Sequence, residues 1–163
     1  MLKGENILLR SLQYSDLDFL ETIENNKEYW KFGSEFKQYT RHDLAEYIAN
    51  ATTDVKSAKQ YRFVIDLNST PIGFIDLFDY EIESAGVGII IAEDYRKNGF
   101  ANEALNLLVE YAFLVLDVKT LYAKVKKDNL ASMKLFTGCR FTLQRKKSDF
   151  RYFIKLAKKN MRL

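Results

Sequence analysis

Val87-Gly-Ile-Ile-Ile-Ala-Glu-Asp-Tyr-Arg-Lys-Asn-Gly-Phe-Ala-Asn-Glu-Ala-Leu105 is the stretch on which the reading of this chain turns. Residues 87–92 form a short apolar run, the mark of a strand buried on both faces. From Phe100 the pattern becomes helical. Ala101, Ala104, Leu105, Leu108, Ala112 and Val115 recur at three- and four-residue spacing, with no breaker among them. A strand that runs through a short loop into a long helix leaves the first helical N–H groups unpaired, beside the positive end of the helix dipole. An anion placed there gains several backbone hydrogen bonds at once. Gly99 permits a conformation that other residues resist and lets a ligand approach closely. Ala101 keeps the helix entrance uncrowded, and Arg96 and Lys97 add positive charge. These residues suit a pyrophosphate; an ordinary strand–turn–helix with a turn glycine uses the same types and stands beside that reading. The loop is neither Gly-x-x-x-x-Gly-Lys-Ser/Thr nor Gly-x-Gly-x-x-Gly.

Outward from the loop, residues 7–10 read as a short strand. Ser15 and Asp18 resemble a capping box before Leu17, Leu20 and Ile23, and Thr40-Arg-His-Asp43 repeats the signal before Leu44, Tyr47, Ile48 and Ala51. Residues 61–80 read as a hairpin turned by Asn68-Ser-Thr-Pro71. Residues 121–125 are a further strand, residues 129–136 a shorter helix, and residues 141–146 and 150–156 a closing hairpin around Ser148-Asp149. The expected fold is mixed α/β, with six or seven strands and about four helices.

Composition bounds the function. The chain has 163 residues, one Cys (Cys139), one His (His42) and a net charge of +3. That length suits one domain, residues 1–163. A disulfide framework and a thiolate or multi-histidine zinc site are excluded, so no metal is expected. No apolar run approaches the roughly 20 residues that span a bilayer, and the N-terminus lacks the layout of a secretion signal. A cytoplasmic protein without membrane attachment is expected. Residues 140–163 hold nine basic side chains and one acid, a net of +8, which leaves the remainder at −5. Aromatic and aliphatic residues interrupt that basic tail, so it reads as a solvated face and nucleic acid is not the expected partner. Cys139 is expected to be a buried small hydrophobe, and His42 a surface or cap residue.

Arg96-Lys-Asn-Gly99-Phe-Ala101 matches Gln/Arg-x-x-Gly-x-Gly/Ala, and here the sequence resembles the GNAT (GCN5-related) acyl-CoA N-acyltransferases. The resemblance extends over nearly the whole chain. It takes in Ile7-Leu-Leu-Arg-Ser-Leu12, similar to the opening of the branch that acetylates ribosomal proteins and polyamines. It takes in Pro71-Ile-Gly-Phe-Ile-Asp76, the run Ile89-Ile-Ile91, and Lys127-Asp-Asn129-Leu-Ala-Ser132. The resemblance implies a mostly antiparallel sheet in which two parallel strands splay apart, with the pantetheine arm of acetyl-CoA in the gap. It implies that backbone groups of Ile89, Ile90 and Ile91 pair with the pantetheine. Arg96, Lys97, Asn98, Gly99, Phe100 and Ala101 would then hold the pyrophosphate, with Asn129 near the cofactor. The reaction it implies is direct attack of a primary amine on the thioester, the acidic body favouring a cationic acceptor such as a polyamine or a basic protein terminus. A homo-oligomer is common in the family. A side chain such as glutamate at Gly99 is expected to abolish cofactor binding and leave folding unchanged.

The chain also departs from the family pattern. Relatives place a tyrosine as general acid where Phe136 stands, and Phe has no proton to give; Tyr122 and Tyr95 are other tyrosines that could serve. The polyamine enzymes tend to carry a glutamate where Ala85-Gly-Val-Gly88 stands, and Leu-Gly-Phe reads Cys139-Arg140-Phe141. Asp76 is the candidate base and Asp79 a candidate acceptor residue; at a spacing of three, both reach one cleft only across a bulge or strand end. Both could equally be surface carboxylates. Trp30 and Glu35 match a region that lines the acceptor site in relatives, and Trp30 could instead be a core anchor. A non-catalytic acyl-CoA-binding module of the same fold is the alternative.

Overall fold

The computed structural model describes residues 1–30, 37–51 and 54–158. Among them eight strands form one sheet, in the order β1-β2-β3-β4-β5-β6-β8-β7. The strands are β1 (Leu2–Lys3), β2 (Leu8–Ser11), β3 (Tyr61–Leu67), β4 (Thr70–Phe78), β5 (Ser84–Ile91), β6 (Thr120–Lys126), β7 (Thr142–Lys147) and β8 (Phe150–Leu156). The helices are α1 (Leu17–Glu24), α2 (Lys27–Trp30), α3 (Arg41–Asn50), α4 (Val55–Ala58), α5 (Phe100–Leu114) and α6 (Leu130–Gly138). The sequence foresaw the mixed class and the longer elements; β1, α2 and α4 are too short to leave a periodic signal.

Two apolar clusters cover the two faces of the sheet. On one face α5 lays Leu105, Leu108 and Ala112 against Ile65, Ile75 and Leu77. On the other, Leu17, Leu20 and Ile23 of α1 and Leu44 and Ile48 of α3 pack on Val64 and Phe74. The β3–β4 hairpin turns on Asn68 and Ser69, with φ of 51° and 71°. Such a two-residue turn with both residues left-handed matches the twist of the flanking strands. Thr70 and Pro71 belong to β4, so the turn is tighter than the sequence suggested. Thr40 and Asp43 form the expected reciprocal cap on α3. At the first helix the capping carboxylate is Asp16, where Ser15 and Asp18 were expected. Asp16 accepts the Gln13 amide at 2.8 Å and is held by both terminal nitrogens of Arg10, while Asp18 is exposed and pairs with Arg41. Arg10 also bonds buried Asp66 at 2.6 Å, so this arginine ties β2 and β3 to the start of α1.

The decisive feature is what the one parallel pair of strands does. β5 and β6 pair only over Ser84↔Thr120, Ala85↔Leu121 and Gly86↔Tyr122. Beyond Gly86, β5 stays with β4 as far as Gly73↔Ile91, whereas β6 follows β8 along its whole length. The sheet is therefore forked. The run expected to be buried on both faces is half open: Val87 and Ile91 are buried, and Ile89 and Ile90 are only partly covered because β6 has left.

Candidate active site

The fork between β5 and β6 opens into a cleft of about 620 Å³ that reaches the N-terminus of α5. Nine of the ten residues expected at the cofactor line it: Ile89, Ile90, Ile91, Arg96, Lys97, Gly99, Phe100, Ala101 and Asn129. Asn98 does not, because its side-chain amide turns back to donate to the carbonyls of Tyr95 and Arg96. Backbone groups in an antiparallel ladder point alternately to either side. Since the Ala92 N–H bonds the Ile72 carbonyl at 2.8 Å, the odd-numbered residues Val87, Ile89 and Ile91 direct theirs into the gap. On this wall Gly73 is needed for strand contact, since a Cβ there would run into the Ile90 carbonyl.

At the mouth, Lys97 (φ 65°) and Gly99 (φ 83°) are both left-handed, and Gly99 is the N-cap of α5. The first bond closing the helix runs from the Glu103 amide to the Gly99 carbonyl at 3.1 Å. The backbone N–H groups of residues 97–102 have no acceptor among the described residues. A Cβ built on Gly99 would meet nothing within 4 Å, so space for an approaching ligand lies directly over these amides. Arg96 braces the loop: its Nε donates to the Ile91 carbonyl at 3.0 Å, and its guanidinium lies 5.2 Å from the Tyr29 ring centre. The Tyr29 hydroxyl in turn accepts the Glu93 amide at 3.0 Å. Nothing in the sequence pointed to Tyr29, which lies 64 residues away from Glu93. Across the gap, Asn129 caps α6 by accepting the Ser132 amide at 3.1 Å, which leaves its NH2 group for other partners.

The acceptor-side candidates scatter. Asp76 faces the α1–α3 side, and both its oxygens are taken by Arg62, at 2.8 and 2.9 Å. Arg62 also pairs with Glu24 and lies 4.9 Å from the Phe74 ring centre. Asp79 follows the last residue of β4 with φ 48°, the strand end that its spacing from Asp76 required. Glu35 and the side chain of Trp30 lie outside the described residues. Phe136 is buried against Phe141 and Phe153 at one wall of the cleft. The expected buried Cys139 donates its thiol to Asn102 at 2.9 Å, and burial raises its pKa. His42 is exposed beside Glu46. Arg140 adopts φ 67°, a non-glycine residue where the family pattern has glycine.

Two further residues mark the inner end of the fork. A Cβ at Gly86 would clash with the ring of Phe78, which also lies 3.8 Å from where a Cβ at Gly88 would sit. Phenylalanine thus fills the space that a side chain on β5 would use. The ring of Tyr122, on the last rung of the β5–β6 pairing, meets Phe78 edge-on at 6.0 Å. Burial first, and then the Asp79 carboxylate, raises the Tyr122 phenol above its usual range.

These features find counterparts among known proteins. The profile of the acetyltransferase (GNAT) domain matches residues 6–142. Spermidine N(1)-acetyltransferase of Vibrio cholerae is 29% identical over 141 residues, 85% of this chain and 80% of that protein. Acetyltransferase PseH of Campylobacter jejuni is 32% identical over 129 residues, 76% of this chain and 79% of that protein. The crystal structure of Vibrio cholerae spermidine N-acetyltransferase in complex with CoA and spermine superimposes with a TM-score of 0.84 at 23% identity, covering 94% of this chain and 96% of that one. A forked sheet, a glycine-started helix and a matching profile over most of its length place this chain in the GNAT acetyltransferase family.

Proposed function

We propose that the chain, working as a single catalytic domain in the cytoplasm, transfers the acetyl group of acetyl-CoA to the primary amine of a cationic acceptor of the polyamine type. The observation that carries the cofactor half is the run of unpartnered amides at residues 97–102, placed where a forked sheet meets a helix N-terminus. A diphosphate there satisfies several orphan donors and meets the dipole of a 15-residue helix. The pantetheine then lies along the gap-facing backbone of Val87, Ile89 and Ile91. Bound acetyl-CoA supplies the thioester that an amine attacks directly, and positioning in the cleft supplies much of the acceleration. Gap-facing N–H groups of β5 stabilise the charge that develops on the carbonyl oxygen.

A cationic acceptor fits the −5 charge of residues 1–139 and the exposed Asp79 and Glu81 at the inner end of the fork. It also fits the relative named for spermidine acetylation. Release of free thiol from acetyl-CoA, followed across a panel of polyamines, monoamines and basic N-terminal peptides, tests the reading. Turnover with polyamines above the neutral amines is expected; no turnover on any amine refutes it. Phe136, buried and without a hydroxyl, favours one other reading, a module that binds acyl-CoA without chemistry. That reading predicts a calorimetric signal with CoA and no thiol release.

A further inference from the structure

The loop that offers its amides to a diphosphate holds a backbone it does not favour by itself. Lys97, with φ 65°, lies in the left-handed region, where a side chain is strained. Such strain persists only where surrounding contacts over-determine the backbone. Two sets of contacts come from the loop's own residues, the Arg96 Nε on the Ile91 carbonyl and the Asn98 amide on the carbonyls of Tyr95 and Arg96. The third comes from Tyr29 on α2, which does not line the cleft. Its hydroxyl accepts the Glu93 amide at 3.0 Å, and its ring centre lies 5.2 Å from the Arg96 guanidinium. One side chain thus grips both ends of the turn at residues 93–96, which leads straight into Lys97. Tyr29 is itself fixed. Its amide donates to the Asn26 carbonyl at 2.9 Å, and the Asn26 side chain accepts the Glu28 amide at 2.9 Å. Asn25 donates to the Tyr39 carbonyl at 2.9 Å and accepts the Tyr39 amide at 2.7 Å, which ties the chain before α2 to the chain leading into α3. Tyr29, Ile90 and Ala92 all pack against the apolar cluster of α1 and α3.

Resting on the acetyltransferase reading, we infer that Tyr29 is a positioning residue for the diphosphate of acetyl-CoA. It acts through Glu93 and Arg96 and holds the amides of residues 97–102 in place before the cofactor arrives. Ordering that the fold has already supplied is not lost again on binding, so Tyr29 raises affinity for a group it never touches. The effect is confined to the diphosphate end of the cofactor. The pantetheine and the acetyl group lie along β5, whose ladder with β4 runs from Gly86 to Ile91 without any contact from Tyr29. A thioester that lacks the diphosphate is therefore indifferent to Tyr29.

Tyr29→Phe removes the bond to Glu93 and keeps the ring beside Arg96, whereas Tyr29→Leu removes both. Full-length wild type and the two variants are compared for CoA affinity by calorimetry, and for kcat and KM with acetyl-CoA and with S-acetylpantetheine on the best amine of the panel. One hydrogen bond is worth roughly 2–10-fold in an equilibrium, and an exposed cation–ring contact roughly 2–5-fold more. CoA affinity is expected to fall roughly 2–10-fold in Tyr29→Phe and roughly 5–50-fold in Tyr29→Leu. The KM for acetyl-CoA should rise with it, while kcat and the kcat/KM for S-acetylpantetheine stay at the wild-type level. Wild-type CoA affinity in Tyr29→Leu overturns the inference. Equal losses with the two thioesters overturn it too, because they would make Tyr29 a general support of the fold. Calorimetry needs no turnover, so a wild type that binds CoA but acetylates no amine overturns the acetyltransferase reading alone and leaves the affinities of the variants to decide this one. A wild type that does not bind CoA overturns both.

Discussion

Gly99 offers the sharpest perturbation, because backbone strain and electrostatics can be separated at one position. Its φ of 83° lies where any L side chain is strained, yet a Cβ there meets no atom within 4 Å. Gly99→Ala therefore costs strain alone, about 1–2 kcal/mol. For a chain of this size that lowers the melting temperature by roughly 2–8 °C, at about 2–4 °C per kcal/mol. Gly99→Glu has the same strain, so the sequence-based expectation of unchanged folding is corrected: the domain stays folded but melts several degrees lower. Its carboxylate also enters the field of the amides of residues 97–102 and opposes an incoming diphosphate. At about 5 Å and an effective dielectric of about 20, each unit charge pair is worth about 3 kcal/mol, on the order of 10²-fold in Kd. Calorimetry with CoA and thermal melts of the two variants separate the effects. Near wild-type affinity in Gly99→Ala, a loss of at least about 10²-fold in Gly99→Glu and similar melting shifts in both are expected. Wild-type affinity in Gly99→Glu would refute the anion site, and equal affinity losses in the two variants would assign the effect to the backbone.

Other expectations follow from the contacts outside the cleft. Asp76→Asn leaves Arg62 half-paired between exposed and buried behaviour, and should destabilise by about 2 kcal/mol in urea unfolding, against no change if the pair is ornamental. Gly138, in the last position of α6 with no atom near its missing Cβ, should gain about 0.5–1 kcal/mol as alanine. The Glu103 carboxyl feels burial that would raise it, but the side chain of Asn6 and the amides of Asn6, Ile7 and Glu5 outweigh that and hold it below its usual value. A depressed folded pKa means this stabilisation is complete above the unfolded value of about 4.3 and is lost as pH falls through the folded one. Glu103→Gln should therefore lower the urea midpoint at pH 7 and narrow its difference from wild type near pH 3; a constant difference would contradict the assignment.

What could be read in advance was local. The strand, loop and helix from Val87 to Leu105 declare themselves through a run, a glycine and a period, and Thr40–Asp43 through a cap that four neighbouring residues complete. The features that define the site join distant parts of the chain. Nothing near β5 says that β6 leaves it after three rungs, because the competing partner is β8, some 30 residues further on. Asp76 looked available because its partner Arg62 sits across a hairpin. Ser15–Asp18 had the spacing of a cap, but Arg10 draws Asp16 into that role from another strand. A glycine at position 86 reads as a missing base until the Phe78 ring over it is seen.

The central claim is that the forked strands and the start of α5 form one continuous CoA site, and amide hydrogen exchange with and without CoA tests it directly. Slowed exchange confined to residues 97–102 and to the gap-facing amides of Val87, Ile89 and Ile91 is the predicted result. Unchanged exchange at those amides in the presence of saturating CoA would contradict it.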